Sequence, residues 1–152
     1  MRSRPREFLA GLFAAVALLA AASGYPAAAQ DPDNAYRNQL IGRWQLVSIA
    51  VDNEMPYGAN PKGTMFADAA GHFSVIVIST GKANSVSFFG TYTINPDRTV
   101  TTHITANTGG AGVNIAGSDL KRILSLNGDE LTVRDDTPSG PGAIKVVWKR
   151  AD

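Results

Sequence analysis

The sequence predicts an all-β domain: eight short antiparallel strands closed into an up-and-down barrel. Three observations lead there. From Leu40 onward, apolar and β-branched runs alternate with clusters of Gly, Pro, Asn and Asp, the pattern of strands separated by turns. The connections are too short to hold the helical crossovers that parallel strands need, so sequence neighbours must pair antiparallel. Eight such strands must also hide their edges, which a closed barrel does fully and a two-sheet sandwich less completely.

The elements follow in order. Asp31 to Gln39 is the one plausible helix after the N-terminal segment, one or two turns long. Strands are expected near 40–51, 63–68, 72–79, 87–94, 98–106, 119–127, 130–135 and 142–150. Asn95-Pro96-Asp97 and Asn127-Gly128-Asp129 have the chemistry of tight hairpin turns, and Asp68-Ala69-Ala70-Gly71 that of another turn. Alternation along a strand sorts the side chains into two faces. Trp44, Leu46 and Ser48 share one face of the first strand. Ile144, Val146, Trp148 and Arg150 share one face of the last. Leu120, Leu124 and Leu126 share a face with Arg122, and Leu131 pairs with Val133 on the next strand. The run 72–79 is apolar on both faces, so its register stays open.

The N-terminus reads differently. Arg2, Arg4 and Arg6 precede an apolar run from Phe8 to Ala22, followed by Gly24, Pro26 and Ala27-Ala28-Ala29. Charged, apolar and then small residues is the order of a secretory signal, with cleavage expected after Ala29. The run is shorter than the ~20 residues that span a bilayer. The expected organisation is therefore a signal peptide over 1–29, a short segment over 30–39 and a barrel domain over 40–152. The destination is the periplasm or the exterior.

Composition narrows the function classes. The 152-residue chain has 14 Lys+Arg and 13 Asp+Glu, with 44% hydrophobic residues. Residues 1–29 hold three of the Arg together with Glu7. The remaining 123 residues therefore carry 11 basic and 12 acidic side chains, net −1. Nucleic-acid binding needs a surplus of positive charge, which this balance lacks. Without Cys there is neither a disulfide nor a thiolate metal site. Two His without a spaced carboxylate motif point to neither zinc nor haem, so no cofactor is expected.

Leu40-Ile41-Gly42-Arg43-Trp44-Gln45-Leu46-Val47-Ser48 resembles the opening of bacterial and fungal lipocalin-like domains, which reads Leu-x-Gly-x-Trp-x-Leu-x-Ser. The similarity continues through Pro56-Tyr57-Gly58, Asn60-Pro61-Lys62-Gly63, Gly71-His72-Phe73-Ser74-Val75, Gly90-Thr91-Tyr92 and Val100-Thr101-Thr102-His103. It ends with Arg122, Leu126 to Thr132, and Val147-Trp148-Lys149-Arg150. The resemblance implies a calyx open at one end, with Trp44 packed across the closed end beside a basic residue. Arg122 and Arg150 are the candidates for that partner, since a guanidinium lies well on an indole face. It also implies a His at the position of His103, and some related domains have isomerase or cyclase roles.

Trp44, Phe66, Tyr92, His103 and Arg122 are the candidate ligand contacts. An inward His103 offers a proton donor or acceptor, and an outward one is structural. Arg122 lies on a core-facing stripe and needs an acceptor: a backbone carbonyl, an acidic side chain or a ligand carboxylate. Tyr92 can pack as core while offering its hydroxyl to a cavity. His72, at a turn exit, reads as a surface residue. Asp135-Asp136 reads as a solvated turn, because adjacent strand residues face opposite ways. The loop Asn107 to Ser118 is Gly-rich but lacks the Lys-Ser/Thr of a phosphate loop, and reads as a lid at the mouth. Val51 to Lys62 reads as a second rim. The expected function is binding of a small, largely apolar molecule in the barrel. The alternatives are a filled barrel with a structural or protein-contact role, and an isomerase or cyclase using His103, Arg122 or Tyr92.

Overall fold

A computed structural model describes residues 32–109, 114–135 and 143–151. The expected signal peptide, residues 110–113 of the expected lid and the Asp136 to Gly142 turn lie outside the described residues. One helix, α1 (Pro32–Leu40), precedes eight strands: β1 (Gly42–Val51), β2 (Lys62–Ala67), β3 (His72–Ile78), β4 (Val86–Ile94), β5 (Val100–Gly109), β6 (Asp119–Asn127), β7 (Glu130–Asp135) and β8 (Ile144–Arg150). Every strand pairs antiparallel with its sequence neighbour, and β1 pairs with β8, so the barrel is closed.

Helix α1 begins at Pro32, whose fixed φ suits a first helical position. Asp33 in its first turn and Arg37 in its last complement the helix dipole. The helix ends where Gly42 takes φ 125, a left-handed geometry. A Cβ there would also lie 3.2 Å from Arg150 Nη1.

The inner face holds the core: Trp44, Leu46, Ile49, Phe73, Val75, Val77, Tyr92, Val100, Ile104, Leu131 and Trp148 are all buried. Apolar residues point in and mostly polar ones point out, the reverse of barrels that face lipid. No described helix is long and apolar enough to cross a membrane. The ambiguous run resolves with Phe73, Val75 and Val77 inward and Ile76 and Ile78 outward.

Two irregularities alter the simple alternation. The β1/β8 register shifts between Leu46 and Ser48, so Ile49 rather than Ser48 is buried. A bulge adds one residue and changes which face the rest of the strand presents. A second shift falls at Phe89/Gly90, where β4 meets β5. A Cβ on Gly90 would lie 1.8 Å from the His103 carbonyl oxygen, so only glycine permits this approach.

Candidate functional site

The two ends of the barrel differ in how their connections are built. At one end β2–β3, β4–β5 and β6–β7 are joined by the short segments 68–71, 95–99 and 128–129, and α1 packs across the opening. Trp44 is 0% exposed there, and its Nε1 donates to the Leu40 carbonyl at 2.9 Å. The Arg150 guanidinium stacks on the Trp44 ring at 4.2 Å. Its Nη1 and Nη2 donate to the carbonyls of Ile41 at 3.0 Å and Gln39 at 2.6 Å. These bonds satisfy carbonyls that the end of a helix leaves open, and so tie α1 to the barrel. Arg150, not Arg122, is thus the partner of Trp44. Trp44 and Arg150 stand opposite each other in the β1/β8 register, which a chain closed on itself imposes.

The other end carries the longer connections 52–61, 79–85, 110–118 and 136–143. Two of them are stitched together: Thr80 N donates to the Tyr57 carbonyl and Ala83 N to the Pro56 carbonyl. A third folds back on β5, where Asn107 Oδ1 accepts from Ile115 N and Ala116 N, each at 3.1 Å.

Between the ends lies a cavity of about 380 Å³. Most of its lining is apolar, including Leu40, Phe73, Val75, Phe88, Leu131 and Trp148, with Thr102 and Asn107 among its polar residues. Phe73 and Phe88 meet edge to face with centroids 6.0 Å apart. Ile115, held by Asn107, and Tyr57 enter the lining from the rim segments. Arg122 supplies a charge to the lining, and its Nη1 donates to Asp135 Oδ1. Asp135 Oδ2 accepts from Ile144 N at 2.9 Å, so one carboxylate links β6, β7 and β8. Both partners are about one-fifth exposed (22% and 20%).

The structure scatters the five candidate contacts. Arg122 lines the cavity, and its acceptor is an acidic side chain, one of the three possibilities open from sequence. Tyr92 also lines the cavity, but its hydroxyl donates to the Asp68 carbonyl at 2.7 Å and Arg37 stacks on its ring at 6.0 Å. Burial raises the pKa of its phenol above the ordinary value. Trp44 seals the closed end and is not part of the lining. Phe66 does not face the ligand space: it is 47% exposed on the outer face. Its neighbours Met65 and Ala67 point inward, and strand alternation sends Phe66 the other way. His103 is also outside, because Thr102 and Ile104 take the inward positions; its Nδ1 lies 2.7 Å from Asp119 Oδ1. His103, Arg122 and Tyr92 therefore do not converge on one reacting centre.

Asp135 was missed, since its pairing with Arg122 is not that of a solvated turn. A signal was present. Counting five residues back from Asn127 and five forward from Glu130 along the hairpin places Arg122 opposite Asp135, the register observed. His72 is exposed, as expected, with Nδ1 2.9 Å from Asp68 Oδ2. Among the described residues no group of three or more His, Asp or Glu is arranged to hold a metal. No protein-family model matches the chain, and no curated protein matches it.

Proposed function

We propose that this chain is an exported lipocalin-like protein that binds one small, largely apolar molecule inside its barrel. The observation that carries this reading is the 380 Å³ apolar cavity. Its size falls within the ~300–1,000 Å³ range of small-molecule sites, and one end is sealed. Removing apolar ligand surface from water supplies the driving force, about 25 cal/mol per Å². Arg122, Thr102 and Asn107 are polar lining residues such a molecule would meet, with Asp135 holding Arg122 from beside the cavity. With the Arg122 charge already met by Asp135, this lining favours a ligand whose polar groups are neutral. The Leu40 to Ser48 motif supports the family reading, and the Arg2 to Ala29 order supports export.

The test is titration of the processed protein with the neutral apolar probe N-phenyl-1-naphthylamine, together with native mass spectrometry. Saturable one-to-one binding is expected. It should be lost in Val75→Trp, which fills the lumen, while cooperative unfolding persists. Absence of saturable binding in the parent protein would overturn the reading.

A further inference from the structure

Two charged residues, Arg122 and Arg134, border the cavity, and among the described residues no acidic side chain joins them in its lining. By sign alone such a lumen suits a carboxylate ligand. The surroundings of the two guanidinium groups point the other way. Arg122 and Asp135 face each other across the β6/β7 ladder, and Arg122 Nη1 donates to Asp135 Oδ1. Asp135 Oδ2 accepts from Ile144 N, at the start of β8, at 2.9 Å. The carboxylate is therefore anchored on two sides. Turning it away from Arg122 would break a backbone hydrogen bond as well as an ion pair. Arg134 differs: it is exposed, and it stands in register with Ile123 and Lys145. Water solvates and screens that charge, so it offers a carboxylate little gain.

We propose that Asp135 sets the charge selectivity of the lumen. It holds Arg122 neutralised and so excludes carboxylates in favour of uncharged apolar molecules that carry a hydrogen-bonding oxygen, alcohols above all. This inference rests on the reading of the lumen as a binding site. A ligand carboxylate brought to Arg122 would have to leave water and share one cation with a second anion already held there. Desolvation opposes the first step and like-charge repulsion the second. A neutral oxygen meets neither penalty, because a guanidinium has five N–H donors and one more accepted bond displaces no charge. Thr102 adds to the discrimination. Its Oγ1 donates to the Leu120 carbonyl at 3.1 Å, so toward a ligand it acts as an acceptor. An alcohol can donate to it, whereas an ionised carboxylate has no proton to give. Selectivity of this kind comes from a repulsive element set against the wrong ligand.

The test is displacement of N-phenyl-1-naphthylamine from the processed protein by two competitors of equal chain length, decanol and decanoate, at about pH 8, where the acid is ionised. In the parent protein decanol should displace the probe at a concentration at least ~10-fold below that of decanoate. In Asp135→Asn the ratio of the two midpoints should shift toward decanoate by at least ~10-fold, since the amide keeps an acceptor for Ile144 N and leaves the Arg122 charge unmet. Asp135→Ser, which also keeps an acceptor, should shift the ratio in the same direction, with thermal unfolding to verify that each variant is folded. The decanoate gain should vanish when Arg122→Gln is added and persist when Arg134→Gln is added instead. Decanoate that displaces the probe from the parent as readily as decanol would overturn the proposal, whether or not the variants fold. Folded Asp135 variants with an unchanged ratio would do the same, as would a decanoate gain that depends on Arg134. Saturable probe binding without charge preference overturns the selectivity alone, whereas a probe that never binds overturns the lumen reading and the selectivity with it.

Discussion

Arg150 and Arg122 are inward-facing guanidinium groups at opposite ends of one barrel, and their partners differ in kind. Arg150 lies on the Trp44 ring and donates to two carbonyls at the end of α1. Those partners are an aromatic face and backbone atoms, none of which can turn away. Arg122 faces a side-chain carboxylate, Asp135, and borders the cavity. The difference shows how one residue type does two jobs. At the closed end it joins helix to barrel and completes the seal. At the open end it pairs with Asp135 and sets a polar group beside a mostly apolar lumen. Short turns accompany the first arrangement and long connections the second.

The largest effect should come from the closed end. Trp44→Ala removes a fully buried indole and leaves Arg150 without its stacking surface. A loss of about 3–5 kcal/mol in unfolding free energy is expected from urea titration. A loss below about 1 kcal/mol would mean that the seal is not where the barrel's stability is concentrated.

An intermediate effect should come from the open end. Arg122→Met leaves the partly buried Asp135 carboxylate without its cation, and should cost about 2 kcal/mol, reduced from the fully buried case because the pair is partly exposed. Adding Asp135→Leu should recover most of that loss. A double variant as unstable as the single one would show that the second carboxylate bond, to Ile144 N, matters more than the ion pair.

The smallest effect belongs to the turn between β4 and β5. Thr99 donates to the Asp97 carboxylate and Lys121 lies beside it, which together hold its pKa down to about 2. A depressed carboxylate stabilises the fold above its unfolded pKa, near 4, and that contribution fades as pH falls toward 2. Unfolding midpoints measured from pH 5 to pH 2 should therefore decline less steeply in Asp97→Asn. Identical slopes for the two proteins would remove this turn from the comparison.

Much of the barrel was legible because strand alternation and turn chemistry are local. The Asn127-Gly128-Asp129 turn sets the β6/β7 register, and through it the meeting of Arg122 with Asp135. The inward sides of β6, β7 and β8 followed from their apolar stripes. Phe66 lies outside the lumen because aromatic character does not set a strand's inward side, whereas the inward Met65 and Ala67 do. Ser48 was misplaced because a bulge arises from pairing between two strands and leaves no mark on one. Asn107's hold on Ile115 and Ala116 links positions whose approach depends on how the loop folds back.

Spacing of apolar and turn residues settled the number, order and antiparallel sense of the strands, because each depends on the conformational preferences of a few adjacent residues. Contact between chain ends was settled elsewhere. The choice of Arg150 over Arg122 for the Trp44 ring required β1 to meet β8 in one particular register. Closure relates residues more than a hundred positions apart, and no local preference carries that information.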